Sequence, residues 1–187
     1  MRTPYESHVL HWQACKLCPL CDTRKHVVLV RGRLPCDTLF VGEAPGESED
    51  VLGSPFRGPA GHLLDLIIER ALEGSEARPR IALTNLVACI PRDGADKAAE
   101  PPPKAIRACA DRLNELVQIA DPKIIIGVGK LAENWLPKLL SPTYVDCHTV
   151  NIVHPAAILR APVVSRGLLA QRCEVVLASA FYHFERS

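Results

Sequence analysis

Three polar side chains stand directly behind apolar runs in this chain, and their types suit them to work together. Glu43 follows Thr38-Leu39-Phe40-Val41-Gly42, Asn85 falls near the end of Arg80 to Leu86, and His154 follows the run Val145 to Val153. A carboxylate can position water or stabilise a developing cation. A carboxamide donates and accepts at once, and an imidazole N–H can meet a developing anion. Taken singly, each has an ordinary reading: Glu43 as a solvated loop carboxylate, Asn85 as a turn or cap residue, His154 as a packed core histidine. What joins them is the expectation of a parallel sheet, whose strand carboxyl ends share one edge where ligands bind. Between the first two lies Val41 to Gly61, which combines five glycines, the carboxylates Glu43, Glu47, Glu49 and Asp50, and one aromatic, Phe56.

The eight cysteines form a second chemical group. Cys15-Lys-Leu-Cys18 places two thiols on one tight turn, and Cys89 and Cys109 flank a proline-rich segment. On its own, CxxC is equally a zinc half-site, a redox pair or half of an iron–sulfur site. Cys21 adjoins the pair as a competing ligand, whereas Cys36, Cys147 and Cys173 read as buried thiols. The N-terminal MRTPYESHVL lacks the basic-then-apolar pattern of a secretory signal, so a cytoplasmic protein with metal-binding or buried thiols is expected rather than a disulfide framework.

The elements that would position these residues follow from periodicity. Strands are expected at about 37 to 42, 80 to 86, 123 to 129 and 145 to 153, with Lys123 to Gly129 apolar on both faces, as a central parallel strand is. Helices are expected from Pro59 to Gly74, from Pro103 to Asp121-Pro122, around Leu131 to Leu140 and from Gly167 to Phe184. Pro91 to Pro103 reads as an irregular loop. The alternation predicts an α/β protein, a three-layer α/β/α sandwich around a parallel sheet of about four strands. With 187 residues, 48% of them apolar, the chain fits one domain spanning 1–187. The sequence has no uninterrupted apolar run long enough for a membrane span, and a net charge of +1 decides nothing about nucleic acid.

GEAPGESED at 42 to 50, SPFRGPAG at 54 to 61, TNLVAC at 84 to 89 and HPAAILR at 154 to 160 occur in that order, with CKLC at 15 to 18 upstream. In this ordered set the chain resembles the uracil-DNA glycosylase superfamily, and most closely its iron–sulfur branch, family 4. The resemblance implies an enzyme that flips uracil out of DNA and hydrolyses its N-glycosidic bond, initiating base excision repair. It implies a substrate pocket of Gly42, Ala44, Glu49, Phe56 and Asn85, with Phe56 stacking on the base and Asn85 reading its edge. Glu43 and His154 become the catalytic pair. Cys15, Cys18, Cys89 and Cys109 become ligands of a [4Fe-4S] cluster, and Ile158 or Leu159 becomes a wedge in the minor groove with Arg160 on a phosphate. The implied partner is uracil-containing DNA, met by a monomer with no role for a membrane.

Two departures bear on substrate range. Between Cys89 and Cys109 the chain reads IPRDGADKAAEPPPKAIRA, without the PxNR-like piece usual in the branch. It also lacks the Arg- and His-rich insert of relatives that capture uracil covalently, so turnover is expected. Two rivals stay open at the level of sequence: a relative that acts on another or a modified base, and a non-catalytic iron–sulfur domain that only binds nucleic acid.

Overall fold

The computed structural model describes residues 2–76, 78–140 and 147–185, with side chains to 182. Among these, five strands form one sheet: β1 (Arg31–Gly32), β2 (Thr38–Gly42), β3 (Ile81–Asn85), β4 (Ile124–Val128) and β5 (His148–Ile152). Their spatial order is β1-β3-β2-β4-β5. Pairing is parallel from β3 across to β5, and β1 alone runs antiparallel, against β3. The four expected parallel strands are all present, and β1 adds an antiparallel edge that was not expected. Two residues, Arg31-Gly32, are too few to leave a period in the sequence. The run expected to begin at Val145 is paired only from His148; Val145 and Asp146 lie outside the described residues.

Strand alternation sorts the core into two layers. Phe40, Leu83, Ile124, Ile126 and Val128 face one side, where they meet α3 (Pro59–Ala71), α7 (Pro155–Arg160) and α8 (Val163–Glu185). Leu39, Val41, Ala82 and Ile125 face the other, against α4 (Pro103–Ala108), α5 (Ala110–Ala120) and α6 (Lys130–Leu139). This is the anticipated three-layer α/β/α arrangement. Every residue of β2 and β4 is buried, as strands covered on both faces must be.

Several elements differ from the sequence expectation. Helix α1 (Pro4–Trp12) opens with a capping box, in which Thr3 and Glu6 exchange backbone-to-side-chain bonds of 2.7 and 3.1 Å, and with Pro4 in its first turn. It packs on α5. Helix α2 (Glu47–Leu52) rises inside the glycine-rich stretch read as a loop, and ends at Gly53 with φ 67°. The helix after Pro103 breaks at Cys109 into α4 and α5, and α8 starts at Val163, four residues before the expected start at Gly167. Among the described residues, no helix is long and apolar enough to cross a membrane.

Candidate active site and cysteine cavity

The sheet reverses its winding between β2 and β4. The chain leaves β2 for β3 on one side and returns to β4 on the other, which makes their carboxyl ends a topological switch point. Glu43 follows β2 and Gly129 follows β4. A Cβ on Gly129 would stand 2.5 Å from Glu43 Oε1 and 2.9 Å from His154 Cβ, so carboxylate and imidazole flank this one glycine. Gly129 adopts φ 97°, a left-handed backbone that admits glycine most readily. An open cleft of about 500 Å³ is lined here by Glu43, Gly129, Lys130, Asn151, His154 and Arg160.

The electrostatics of the two groups differ. Burial raises the Glu43 carboxyl above its ordinary range, an effect partly offset by the backbone N–H of Leu131. Burial, followed by the positive charge of Arg160, lowers His154 to about 4, so its imidazole is neutral at physiological pH. His154 caps α7, and its Nδ1 accepts from the Ala156 N–H at 3.1 Å. An accepting Nδ1 in a neutral ring leaves the proton on Nε2.

The second half of the site lies one residue upstream. A Cβ on Gly42 would meet Asn85 Oδ1 and Phe56 Cζ, each at 2.5 Å. A slot bounded by a carboxamide and an aromatic ring therefore exists only because residue 42 is glycine. Asn85 is 3% exposed, and no described residue hydrogen-bonds its carboxamide; its backbone is paired in the sheet with Gly42 and its carbonyl accepts from Arg112. With no protein partner, the amide atoms of Asn85 stay available to whatever enters the slot.

Phe56 adopts φ 55°, a left-handed conformation costly for a bulky residue. Glu49 holds it there. One oxygen of Glu49 accepts from the backbone N–H groups of Arg57 and Gly58, both at 2.7 Å, and the other from Gly46 at 2.9 Å. Gly61 packs directly on the Phe56 carbonyl, where any side chain would overlap it. Glu49 thus faces the loop backbone. Asp50, fully buried, accepts from the backbone N–H groups of Lys25 and His26, and Arg92 pairs with Glu47 while reaching Asp50 at 3.4 Å. The proline-rich loop thereby sends its arginine inward to brace α2.

On α7, Ile158 is buried in the core, whereas Leu159 is 37% exposed. The two were equivalent by sequence; only Leu159 is free to enter a groove.

Cys15, Cys18, Cys89 and Cys109 line one small cavity, together with Trp12 and the arginines Arg24 and Arg112. Burial lifts Cys89 to about 12 and raises Cys18 as well. Arg24 Nη1 lies 3.5 Å from Cys89 Sγ, and Arg112 Nε 3.2 Å from Cys109 Sγ. Among the described residues, no three His, Cys, Asp or Glu side chains converge on a point fit for a single metal ion. Four cysteines lining one pocket are a donor set that suits an iron–sulfur cluster. Cys21 does not line the cavity; its thiol donates to Asp22 at 3.3 Å. Cys36 and Cys173 are buried, and Cys147 donates to the Pro122 carbonyl.

Gly129, Arg24 and Arg112 were not picked out by sequence. Gly129 carried a signal, a glycine ending the most apolar strand. Arg112 carried none, since a charged helix residue one turn after a cysteine usually faces solvent, and Arg24 stood out only as part of a basic segment.

The sequence profile described as the Uracil DNA glycosylase superfamily matches residues 29–174. The Type-4 uracil-DNA glycosylase of Sulfurisphaera tokodaii is 36% identical over 166 residues, covering 80% of this chain and 73% of that protein. That of Pyrobaculum aerophilum is 32% identical over 165 residues, covering 79% and 81%. The crystal structure of Pedobacter heparinus SMUG2 superposes with a TM-score of 0.58 at 16% identity, over 80% of this chain and 76% of that one, a likeness of fold.

Proposed function

This chain belongs to the uracil DNA glycosylase superfamily, and from that premise we propose that it excises uracil from DNA by base flipping and hydrolysis of the N-glycosidic bond. The observation that carries the reading is the carboxamide of Asn85, which no described residue hydrogen-bonds, set beside Phe56 and Gly42 in the slot. Flipping a base costs a few kcal/mol, which stacking and edge pairing must recover. Phe56 supplies the stack. Asn85 Nδ2 donates to uracil O4 while Oδ1 accepts from N3–H, and cytosine, with an amino group and a bare N3, reverses both needs.

As the bond from C1′ to N1 breaks, its electron pair stays on the base and spreads to O2. The Nε2–H of neutral His154 donates to that oxygen, an interaction that strengthens as charge develops and so lowers the barrier more than it tightens binding. Glu43 orients a water toward C1′ and faces the cationic sugar; the water's oxygen forms the new bond, and its proton passes to solvent or to the departing base. Leu159 holds the gap left in the duplex and Arg160 meets a phosphate.

Cys15, Cys18, Cys89 and Cys109 would hold a [4Fe-4S] cluster. Bound, it would cross-link the segment after α1, the loop after β3 and the α4–α5 break, and add negative charge beside Arg24 and Arg112. Its role is structural in this reading.

The direct test uses labelled oligonucleotides carrying U, T, C or hypoxanthine, incubated with purified protein and cleaved at abasic sites by alkali. Uracil strands should be cut and cytosine and thymine strands left whole. A preference for hypoxanthine would move the chain to another base, and no cutting at all would leave only nucleic-acid binding.

A further inference from the structure

We propose that Arg112 is a positioning residue that couples the base-reading end of β3 to the group held by the four cysteines. The inference rests on the cluster assignment made above. Arg112 lies on α5, one turn beyond Cys109, and is 1% exposed. Its fork of donors reaches four acceptors: Cys109 Sγ from Nε at 3.2 Å, Thr84 Oγ1 from Nη1 at 3.1 Å, and the carbonyls of Asn85 and Leu86 from Nη2 at 2.5 and 3.1 Å. The Thr84 hydroxyl donates its own proton to the Leu29 carbonyl at 2.6 Å, which leaves its lone pair for the guanidinium.

Two physical points make this more than a packing contact. First, a buried guanidinium is unfavourable unless negative charge compensates it, and among the described residues Arg112 has no carboxylate within ion-pair distance. The one group in reach that can carry negative charge is Cys109, as a thiolate ligand. Arg24 also lines the cavity, with Nη1 on Cys89 Sγ and Nη2 on the Cys15 carbonyl at 2.6 Å, but it stays within the cysteine segments. Arg112 alone of the two spans to β3.

Second, what Arg112 grips is the backbone of the base reader. The Asn85 and Leu86 carbonyls are held by one nitrogen, and the Leu86 N–H in turn donates to the Gly42 carbonyl at 2.9 Å. This fixes the ends of β3 and β2 against each other where the slot leaves no slack: Asn85 Oδ1 lies 2.5 Å from the position of a Gly42 Cβ. Misplacement of a reader by about 1 Å can cost 10²-fold in rate. Loss of charge from the cysteine cavity would leave Arg112 uncompensated, and its carbonyl contacts would loosen with it.

The test is a double-mutant cycle in cluster-loaded protein. Arg112→Met should keep the broad absorbance near ~400 nm of thiolate-bound iron yet lower single-turnover uracil excision by about 10- to 100-fold, the usual cost of losing an outer-shell partner. In an Asn85→Ala background the same substitution should cost almost nothing further, because there is no carboxamide left to place. An equal fold-loss in both backgrounds would reduce Arg112 to general packing and overturn the proposal. Should Arg112→Met not fold, hydrogen exchange on wild-type protein decides instead. Stripping iron anaerobically with a chelator should speed exchange of the Leu86 amide at least tenfold more than that of Ile126 in β4, and equal acceleration would overturn the coupling. Wild-type protein that is colourless, iron-free and active would defeat the cluster assignment itself. Coloured, active protein with an additive cycle would defeat only the coupling.

Discussion

The slot at the end of β2 and β3 and the cysteine cavity beneath it handle buried polarity in opposite ways. At the slot the carboxamide of Asn85 is left without a partner and Phe56 is held in a left-handed conformation; three backbone N–H groups on Glu49 stabilise the arrangement. In the cavity the polar groups meet each other, guanidinium against sulfur, and the thiols wait for metal to displace their protons. A reading site needs unmet hydrogen bonds, whereas a structural site needs them met. Substitutions should therefore separate along that line.

The largest effect is expected at His154. His154→Ala removes the donor to the leaving base and should lower single-turnover excision by about 10² to 10³, with DNA affinity held within a few-fold. A core role would instead lower the melting temperature and preserve activity per folded molecule. Gly129→Ala should come next, with a loss of about 10²-fold, since its methyl would strike both Glu43 and His154 and displace them by a sizeable fraction of an ångström. Steady-state and single-turnover rates on a variant of confirmed fold would check it.

Glu49→Ala and Cys89→Ser sharpen the contrast between the two regions. Releasing Glu49 frees Phe56 to relax, so excision should fall by about tenfold, on the scale of one or two lost charge-assisted bonds, while absorbance near ~400 nm stays. Cys89→Ser should do the reverse in order: absorbance and melting temperature fall first, and activity follows through the weakened fold and the loosened Arg112 contacts to Asn85 and Leu86.

The smallest effect is on pH dependence of stability. His154 has its folded pKa lowered to about 4 from an ordinary 6.5. Between those values the unfolded chain binds more protons than the folded one, so this histidine's contribution is complete above about pH 6.5 and is lost as pH falls toward 4. Melting of His154→Gln should thus decline less from pH 7 to 5 than that of the native chain, and identical declines would mean that the ring is not buried as described.

Much of this was legible in sequence, for reasons that particular residues make plain. Glu43, Asn85 and His154 could be brought together because each ends an apolar run, and parallel strands carry such ends to one edge. Helix α1 was not anticipated: Thr3 and Glu6 cap it, but its apolar face is too weak to mark it in the sequence. Other features left no trace. Nothing in the type of Phe56 signals a left-handed backbone, because the clamp that imposes it, Glu49, acts through backbone groups. Ile158 and Leu159 were interchangeable until α7 was set against α3 and α8. Arg112 reads as one more helix charge; only the break at Cys109 turns it inward.

The central claim is that a free carboxamide at residue 85 reads uracil, and Asn85→Asp tests it most directly. The substitution keeps the shape but leaves acceptors only, so it should repel O4 and suit cytosine's amino group instead. Single-turnover assays on matched U- and C-containing oligonucleotides should show uracil release falling by about 10²-fold or more, with any residual activity shifted toward cytosine. Uracil release at the native rate by folded Asn85→Asp protein would contradict the account and remove this residue from the pocket.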